Sequence, residues 1–380
     1  SLLHKTHPIT VFELRPQPSP SALQTPSGSL DLHEGTGLLA LEKCNLLSQF
    51  KQASNKDCTE ETTMVDMSGE VRFHDKGESK GSDRPEISRN VLSHMLLSTI
   101  PPSVLRWNTK ILSVTPGKER AWKFSISVDK QEPQEEEFDL VVGADGAWSK
   151  ARLALPDAEK PVYSGISYLL LTIPRLSEKH NALVGTGSYM AYGEHKTMVS
   201  QRSVGGSTRM YLMITTPSPT YFADEGFADL SPAALKEKLL SPGGLFSNWG
   251  EEIKDLIAAG CAEEEKEPEA RPLYAHPVGK FWTHTPGLTL IGDAAHLTTP
   301  NGEGVNVAMA DALDLSEAIL SSDGEEELDE KIKAYEEKMR VRGTESMEDA
   351  VKMKELMFER PGAFLEMIMG FSEKNEKPEW

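Results

Sequence analysis

Apolar residues along this chain keep two rhythms, and each predicts a different kind of element. Short unbroken runs, Leu140 to Val142 and Leu288 to Ile291, are long enough for a buried strand and too short for a helix. Both are stopped by glycine, Gly143 and Gly292. Period-two alternation marks half-buried strands. From Arg209 to Thr215, Met210, Leu212 and Ile214 share one face, and Tyr211, Met213 and Thr215 share the other. Strands are also predicted at Ile9 to Glu13, Val71 to Phe73, Val104 to Val114, Trp122 to Val128, Ile166 to Ile173, Ala182 to Tyr192 and Thr197 to Gln201. Helical spacing predicts helices from about Gly35 to Leu47, Pro232 to Leu240, Glu251 to Ala259, Glu303 to Leu320 and Glu325 to Met369. The last is interrupted at Pro361-Gly362, because proline has no N–H to donate. Ser1 to His7 reads as the end of a helix, and Gln17 to Ser27, rich in Pro and Ser, as a loop.

Strands and helices interleave at both ends of the chain, while an antiparallel-looking block fills Tyr163 to Thr215. That is an α/β protein with a second, mixed-sheet unit. Charge then removes some functions. The formal net charge is −19, and a nucleic-acid binder needs a basic face instead. The acidic runs Glu135-Glu136-Glu137, Glu263-Glu264-Glu265 and Glu325-Glu326-Glu327 read as solvated faces. No apolar run reaches the length of a membrane span. Cys44, Cys58 and Cys261 have neither metal-ligand spacing nor a disulfide framework, which predicts no metal and a reducing, cytoplasmic setting.

The chemistry concentrates where the 288–291 strand ends. Gly292-Asp293-Ala294-Ala295-His296 is followed by Pro300-Asn301-Gly302-Glu303-Gly304-Val305-Asn306. Asp293 puts a carboxylate at a strand end. Gly302 and Gly304 admit a ligand close to the backbone. The helix that begins there offers free N–H groups and partial positive charge to something anionic. Asp145-Gly146-Ala147-Trp148-Ser149-Lys150-Ala151-Arg152 repeats the strand–turn–helix pattern after Leu140 to Val142. Glu13 ends another strand, as the ribose-binding acid of a dinucleotide unit does. Arg15 follows two residues on.

Together, Gly-Asp-Ala-Ala-His with Pro-x-Gly-x-Gly-x-Asn and Asp-Gly-x-x-Ser-x-x-Arg resemble the two downstream FAD motifs of the class A flavoprotein monooxygenases, the p-hydroxybenzoate hydroxylase-like fold. The loop after His296 is one residue shorter than is usual there. Ser29 to His33 and Pro85 to Leu92 resemble the corresponding segments of the tetracycline-inactivating flavin monooxygenases. The resemblance implies a three-layer ββα, GR2-type Rossmann-like FAD domain, a mixed β-sheet substrate domain and C-terminal helices. It divides the chain into 1–54, 84–154 and 273–322 for FAD, 55–83 as an excursion toward the substrate domain, 155–272 as that domain, and 323–380 as a helical brace. It implies FAD contacts from Glu13, Arg15, Asp31, Arg89, Asp145, Asp293, Pro300, Gly302, Gly304, Val305 and Asn306, with Asp145 acting mainly through the fold. No side chain is singled out as a catalytic acid, base or nucleophile.

The activity the resemblance implies is reduction of FAD by NAD(P)H, addition of O₂ at the flavin C4a, and oxygen transfer from that hydroperoxide to a small molecule. Epoxidation or Baeyer–Villiger insertion on the same fold is the alternative. Tyr189, Tyr211 and Met213 are expected to line an apolar pocket with phenol donors, suited to a planar aromatic or polyketide-like substrate rather than tetracycline. A monomer or weak dimer is expected. Only twelve residues precede Glu13, too few for the strand and G-x-G-x-x-G loop of a dinucleotide unit. The expectation is therefore a chain missing that segment, cofactor-poor if it begins at Ser1, or else a non-catalytic relic of the fold.

Overall fold

A computed structural model describes residues 2–77, 84–227, 230–262 and 269–373. The acidic run at 263–265 lies outside the described residues, as does the end of the 55–83 excursion. Strands in chain order are β1 (Val11–Phe12), β2 (Ser29–Asp31), β3 (Thr62–Asp66), β4 (Val71–Asp75), β5 (Glu86–Ser88), β6 (Leu105–Arg106), β7 (Thr109–Pro116) and β8 (Trp122–Val128). There follow β9 (Gln134–Phe138), β10 (Val141–Gly143), β11 (Val162–Ile173), β12 (Ser188–Gly193), β13 (Lys196–Arg202), β14 (Thr208–Thr215), β15 (Glu269–Ala275) and β16 (Leu288–Leu290). The α-helices are α1 (Gly37–Lys43), α2 (Leu47–Ala53), α3 (Arg89–Leu97), α4 (Glu178–Val184), α5 (Tyr221–Asp224), α6 (Pro232–Leu240) and α7 (Glu251–Cys261). The last four are α8 (Asp293–His296), α9 (Gly304–Leu320), α10 (Glu325–Glu359) and α11 (Pro361–Glu373).

One half stacks short parallel pairs, an antiparallel sheet and helices around a common core. β1 pairs with β6 and β10 with β16, both parallel, while β7, β8 and β9 form an antiparallel sheet. Their apolar faces meet at Trp122, Phe124, Val141, Leu288 and Leu290, and Leu315, Tyr335 and Met339 close the core from α9 and α10. Phe12, Phe124 and Phe138 pack there with centroids 5.3–5.7 Å apart, Phe12 meeting Phe138 edge-on and the other pairs tilted. This is the ββα layering the sequence implied.

The other half is a seven-stranded mixed sheet in the order β15-β11-β14-β13-β12-β3-β4. Directly paired residues share a face of a sheet. Leu169, Leu212, Met198, Ala191 and Val65 are paired in turn across five strands. They form the core that α6 and α7 cover through Leu235, Ile253, Leu256 and Ile257. The opposite face is capped at one end by α11, where Phe364, Leu365 and Ile368 meet Met64 and Tyr192. α10 spans about 52 Å at 1.5 Å per residue. It touches α8 and α9 near one end and β12 and β13 near the other, and so braces both halves.

Several boundaries differ from the sequence reading. The 182–192 strand is a helix, α4, followed by β12. Ser177 caps α4 by accepting the His180 N–H, and Gly185 ends it at φ +68°. Gly187 then brings the chain so close to Glu61 that a Cβ would lie 2.0 Å from its carbonyl oxygen. The 35–47 helix is two, broken where Asn45 takes a positive φ. The 104–114 strand is also two, in different sheets, because Asn108 turns the chain at φ +54°. The excursion carries two strands rather than one, β3 and β4, and both join the seven-stranded sheet. Residues 2–7 form a turn, with the N–H groups of Thr6 and His7 both donating to the Leu3 carbonyl, instead of a helix end. Leu273 to Ala275 end β15 in the seven-stranded sheet, so the chain returns to the first half after them.

Candidate functional site

The turn after β16 is held by buried acids on the two long helices. Glu336 of α10 is 1% exposed and accepts from Thr289 at 2.9 Å and from the Trp282 indole at 3.3 Å. Asp311 of α9 is fully buried. Its carboxylate accepts from the Gly292 N–H at 2.9 Å, pairs with His296 at 2.6 Å and accepts from Arg342 at 2.7 Å. Burial alone would raise that carboxyl, but these bonds outweigh it and hold it below the ordinary value. Gly292 sits at φ +58°, and a Cβ there would approach that of Ala308 at 3.1 Å, so the turn requires glycine. Arg152, 2% exposed, ties the same region from the other side. It donates to the carbonyls of Ala294 and Ala295 at 3.1 and 2.8 Å and to that of Glu159 at 2.9 Å.

Beyond that frame three unsatisfied features flank one open region, the groove: Arg89 lies close enough to Asp293 to act on its charge, and no atom stands within 4 Å of a Cβ at Gly302 or Gly304. Asp293 begins α8 with its side chain exposed and accepts no hydrogen bond from any described residue. The surrounding protein raises its carboxyl above the usual value, against the pull of His296 and Arg89. Arg89 begins α3, and its guanidinium makes no hydrogen bond or ion pair with a described residue. The first-turn N–H groups of α9, from Gly304 to Asn306, precede the first intrahelical bond, Val307 N–H to Glu303 O. Gly302 takes φ +87°. The groove thus offers an acceptor for hydroxyls, a cation, and helix-start donors for an electron-rich edge. These fit the ribityl chain and ring of a flavin.

The remaining predicted residues fall into two groups. Pro300 is exposed and Val305 half-buried beside this groove. Glu13 directly follows β1 but is already engaged, because Arg15 donates to it from its backbone at 2.8 Å and its side chain at 3.1 Å. Burial raises the Glu13 carboxyl, and those bonds bring it below the ordinary value. Asp145 accepts from the Lys150 N–H at 2.6 Å and caps its own turn, a structural role. Asn306 is fully buried and locks α9 to the chain after β2. It donates to the Asp31 carbonyl at 3.1 Å and accepts from the His33 N–H at 2.8 Å. Its side chain is therefore committed to the protein.

The substrate-facing prediction needs one correction. Tyr189 pairs with Ser200, which pairs with Met210, so it lies on the helix-covered face. It is 1% exposed in that core, its hydroxyl has no partner among the described residues, and it cannot line a pocket with Tyr211. Tyr211 and Met213 lie on the opposite face, half-buried. Tyr211 meets Tyr168 edge-on at 5.8 Å, and its hydroxyl lies 3.3 Å from where a Cβ of Gly28 would be. The Gly28 carbonyl accepts the Arg89 N–H at 3.0 Å, so this face adjoins the groove. Cations that the sequence reading missed stand here too. Arg209 donates to the Tyr211 hydroxyl at 3.3 Å, and Arg271 is paired across strands with Tyr168. Arg209 shares the alternation of Tyr211 and could have been found from it.

The chain resembles known proteins. Residues 274–350, which contain Asp293 and the start of α9, match the FAD binding domain family. The chain is 36% identical over 383 residues to the monooxygenase penA of Penicillium thymicola, covering 90% of this chain and 88% of that one. Among solved structures, it superposes with TM-score 0.72 on Klebsiella pneumoniae HpxO complexed with FAD and uric acid, at 16% identity over 94% of this chain and 86% of that one. It superposes with TM-score 0.62 on the tetracycline destructase Tet(51), at 16% identity over 100% of this chain and 94% of that one. Those two establish the fold. With the relation to penA along nearly its whole length, the chain belongs to the FAD-dependent monooxygenases.

Proposed function

We propose that the protein hydroxylates a planar aromatic or polyketide-like small molecule, with NAD(P)H as electron donor and O₂ as oxidant. Bound FAD supplies the redox chemistry, taking electrons from NAD(P)H and passing them to O₂ so that one oxygen atom enters the substrate and the other leaves as water. Asp293 holds cofactor hydroxyls, the α9 amides stabilise negative charge on the flavin edge, and Arg89 adds a cation beside it. Pro300, Gly302 and Val305 shape the wall of that groove. Glu13, both of whose oxygens Arg15 engages, contacts the cofactor's ribose through the one lone pair left on Oε2. Asp31 and Asn306 support the loop below.

The observation that carries this reading is the juxtaposition of unpaired Asp293 and Arg89 with the Tyr211 face of the seven-stranded sheet. Tyr211, Tyr168 and Met213 offer stacking surface and phenol hydroxyls to a flat ligand. Arg209 and Arg271 add donors suited to a carbonyl or phenolate oxygen. The three cysteines are free, which fits a reducing compartment such as the cytoplasm. Among the described residues, no helix is long and apolar enough to cross a membrane.

The test is substrate-stimulated NAD(P)H oxidation by full-length protein across a panel of phenolic polyketides, other planar aromatics and tetracyclines. Stimulation by planar aromatics, reduced in Tyr211→Ala, supports the reading. Turnover of tetracycline alone, or unchanged stimulation in Tyr211→Ala, overturns it.

A further inference from the structure

His33 closes the Ser29 to His33 segment, just after β2. Its ring lies between two carboxylates from distant parts of the chain, with Nε2 2.8 Å from Asp31 at the end of β2 and Nδ1 3.3 Å from Glu303 at the start of α9. Its backbone N–H donates to Asn306, so ring and backbone both span the same junction. Ionised carboxylates only accept hydrogen bonds. The Nε2 contact is a hydrogen bond and the Nδ1 contact an ion-pair distance, so acids on both sides of the ring favour its doubly protonated form. A third acid, Glu86, stands across the strand pair from Asp31 and bonds Ser29. Glu60 and Cys58 stand behind it as the further titratable neighbours among the described residues. Acidic groups thus converge beside a groove meant for a cofactor that gains negative charge on reduction, and His33 is the cation set among them.

We propose that His33 is a positioning residue of the flavin groove, clamping Glu303 and the first turn of α9 to the end of β2 and offsetting the charge of the two acids it touches. The proposal rests on the flavin reading above for its consequence, but the clamp itself is independent of any ligand. Burial pulls the His33 ring down, and the bonds to Asp31 and Glu303 outweigh it, raising the ring to about 9. The clamp is whole at neutral pH and is lost as pH rises through that value.

Two measurements test it on full-length protein. In ¹³C-histidine NMR without added flavin, the signal missing from His33→Gln is expected to titrate near pH 9, and in Glu303→Gln to move toward the ordinary 6.5. A wild-type midpoint at or below the ordinary value, or an unmoved midpoint in Glu303→Gln, overturns the clamp. Should His33→Gln fold poorly, the Glu303→Gln shift against wild type carries the test alone. By fluorescence titration with FAD, His33→Gln is expected to bind on the order of tenfold more weakly at pH 7, about 1.4 kcal/mol. Wild type should lose affinity more steeply than the variant between pH 7 and 10, because the Glu86 ionisation near 8 is common to both. Equal affinity at pH 7 refutes the positioning role. Failure of the flavin reading would look different: FAD binding indifferent to Asp293→Ala, with the His33 titration unchanged.

Discussion

Replacing Asp311 by alanine attacks the frame rather than the groove, and the structure sets the size of the effect. The carboxylate is fully buried and makes three bonds, to the Gly292 N–H, His296 and Arg342. Breaking a buried ion pair by removing one partner costs about 3–5 kcal/mol. Arg342 keeps a second acid, Asp314, at 2.8 Å, so one cation is not stranded. His296, 4% exposed, loses its acid partner. The expected loss is therefore near the lower end, about 3 kcal/mol. A chemical-denaturation curve at pH 7 measures it as a fall in midpoint at unchanged slope. The pH dependence supplies an internal check. The Asp311 carboxyl is held below its ordinary value, so its contribution is present above the unfolded-state value and fades as pH falls through the folded one. The gap between wild type and Asp311→Ala should thus close in acid. A loss under about 1 kcal/mol at pH 7, or a gap that widens in acid, would refute the claim that this carboxylate holds the turn before Asp293.

Other outcomes follow from the same packing. Burial first, and the Asp31 charge second, raise the Glu86 carboxyl to about 8. Wild type should therefore lose stability as pH climbs from the unfolded-state value through 8, and Glu86→Gln should flatten that slope in urea melts between pH 6 and 9. Tyr189→Phe removes a buried hydroxyl that has no partner among the described residues. It should keep turnover and gain up to about 1 kcal/mol, whereas a large loss of turnover would return Tyr189 to the substrate pocket. Arg152→Lys cannot reach the carbonyls of Ala294, Ala295 and Glu159 together, and should lower the thermal midpoint measurably.

What the sequence could reveal was local. The strand, turn and helix from Leu288 to Leu320, and the Asp145 turn, were legible because their signals lie within one short stretch: an apolar run, a glycine at positive φ, a helix start. Whatever depended on pairing between distant strands was not. Tyr189 and Tyr211 both alternate with apolar neighbours, and only the registers of β12 with β13 and β13 with β14 put them on opposite faces. The break at Asn108 was hidden because its neighbours continue a strand-like pattern across it. His33 and Glu303 are far apart in the chain, and neither signals the other. The buried acids Asp311 and Glu336 look like ordinary polar positions of amphipathic helices until the β16 turn is packed against them.

The central claim is that FAD lies in the groove between Asp293, Arg89 and the start of α9. The most direct measurement is the dissociation constant of FAD for full-length protein, read by flavin fluorescence, beside that of Asp293→Ala. Loss of charge-assisted hydrogen bonds to the cofactor should weaken binding by about 1.5–3 kcal/mol, roughly ten- to a hundredfold, with the fold intact by circular dichroism. Undiminished FAD affinity in a folded Asp293→Ala variant would contradict the account.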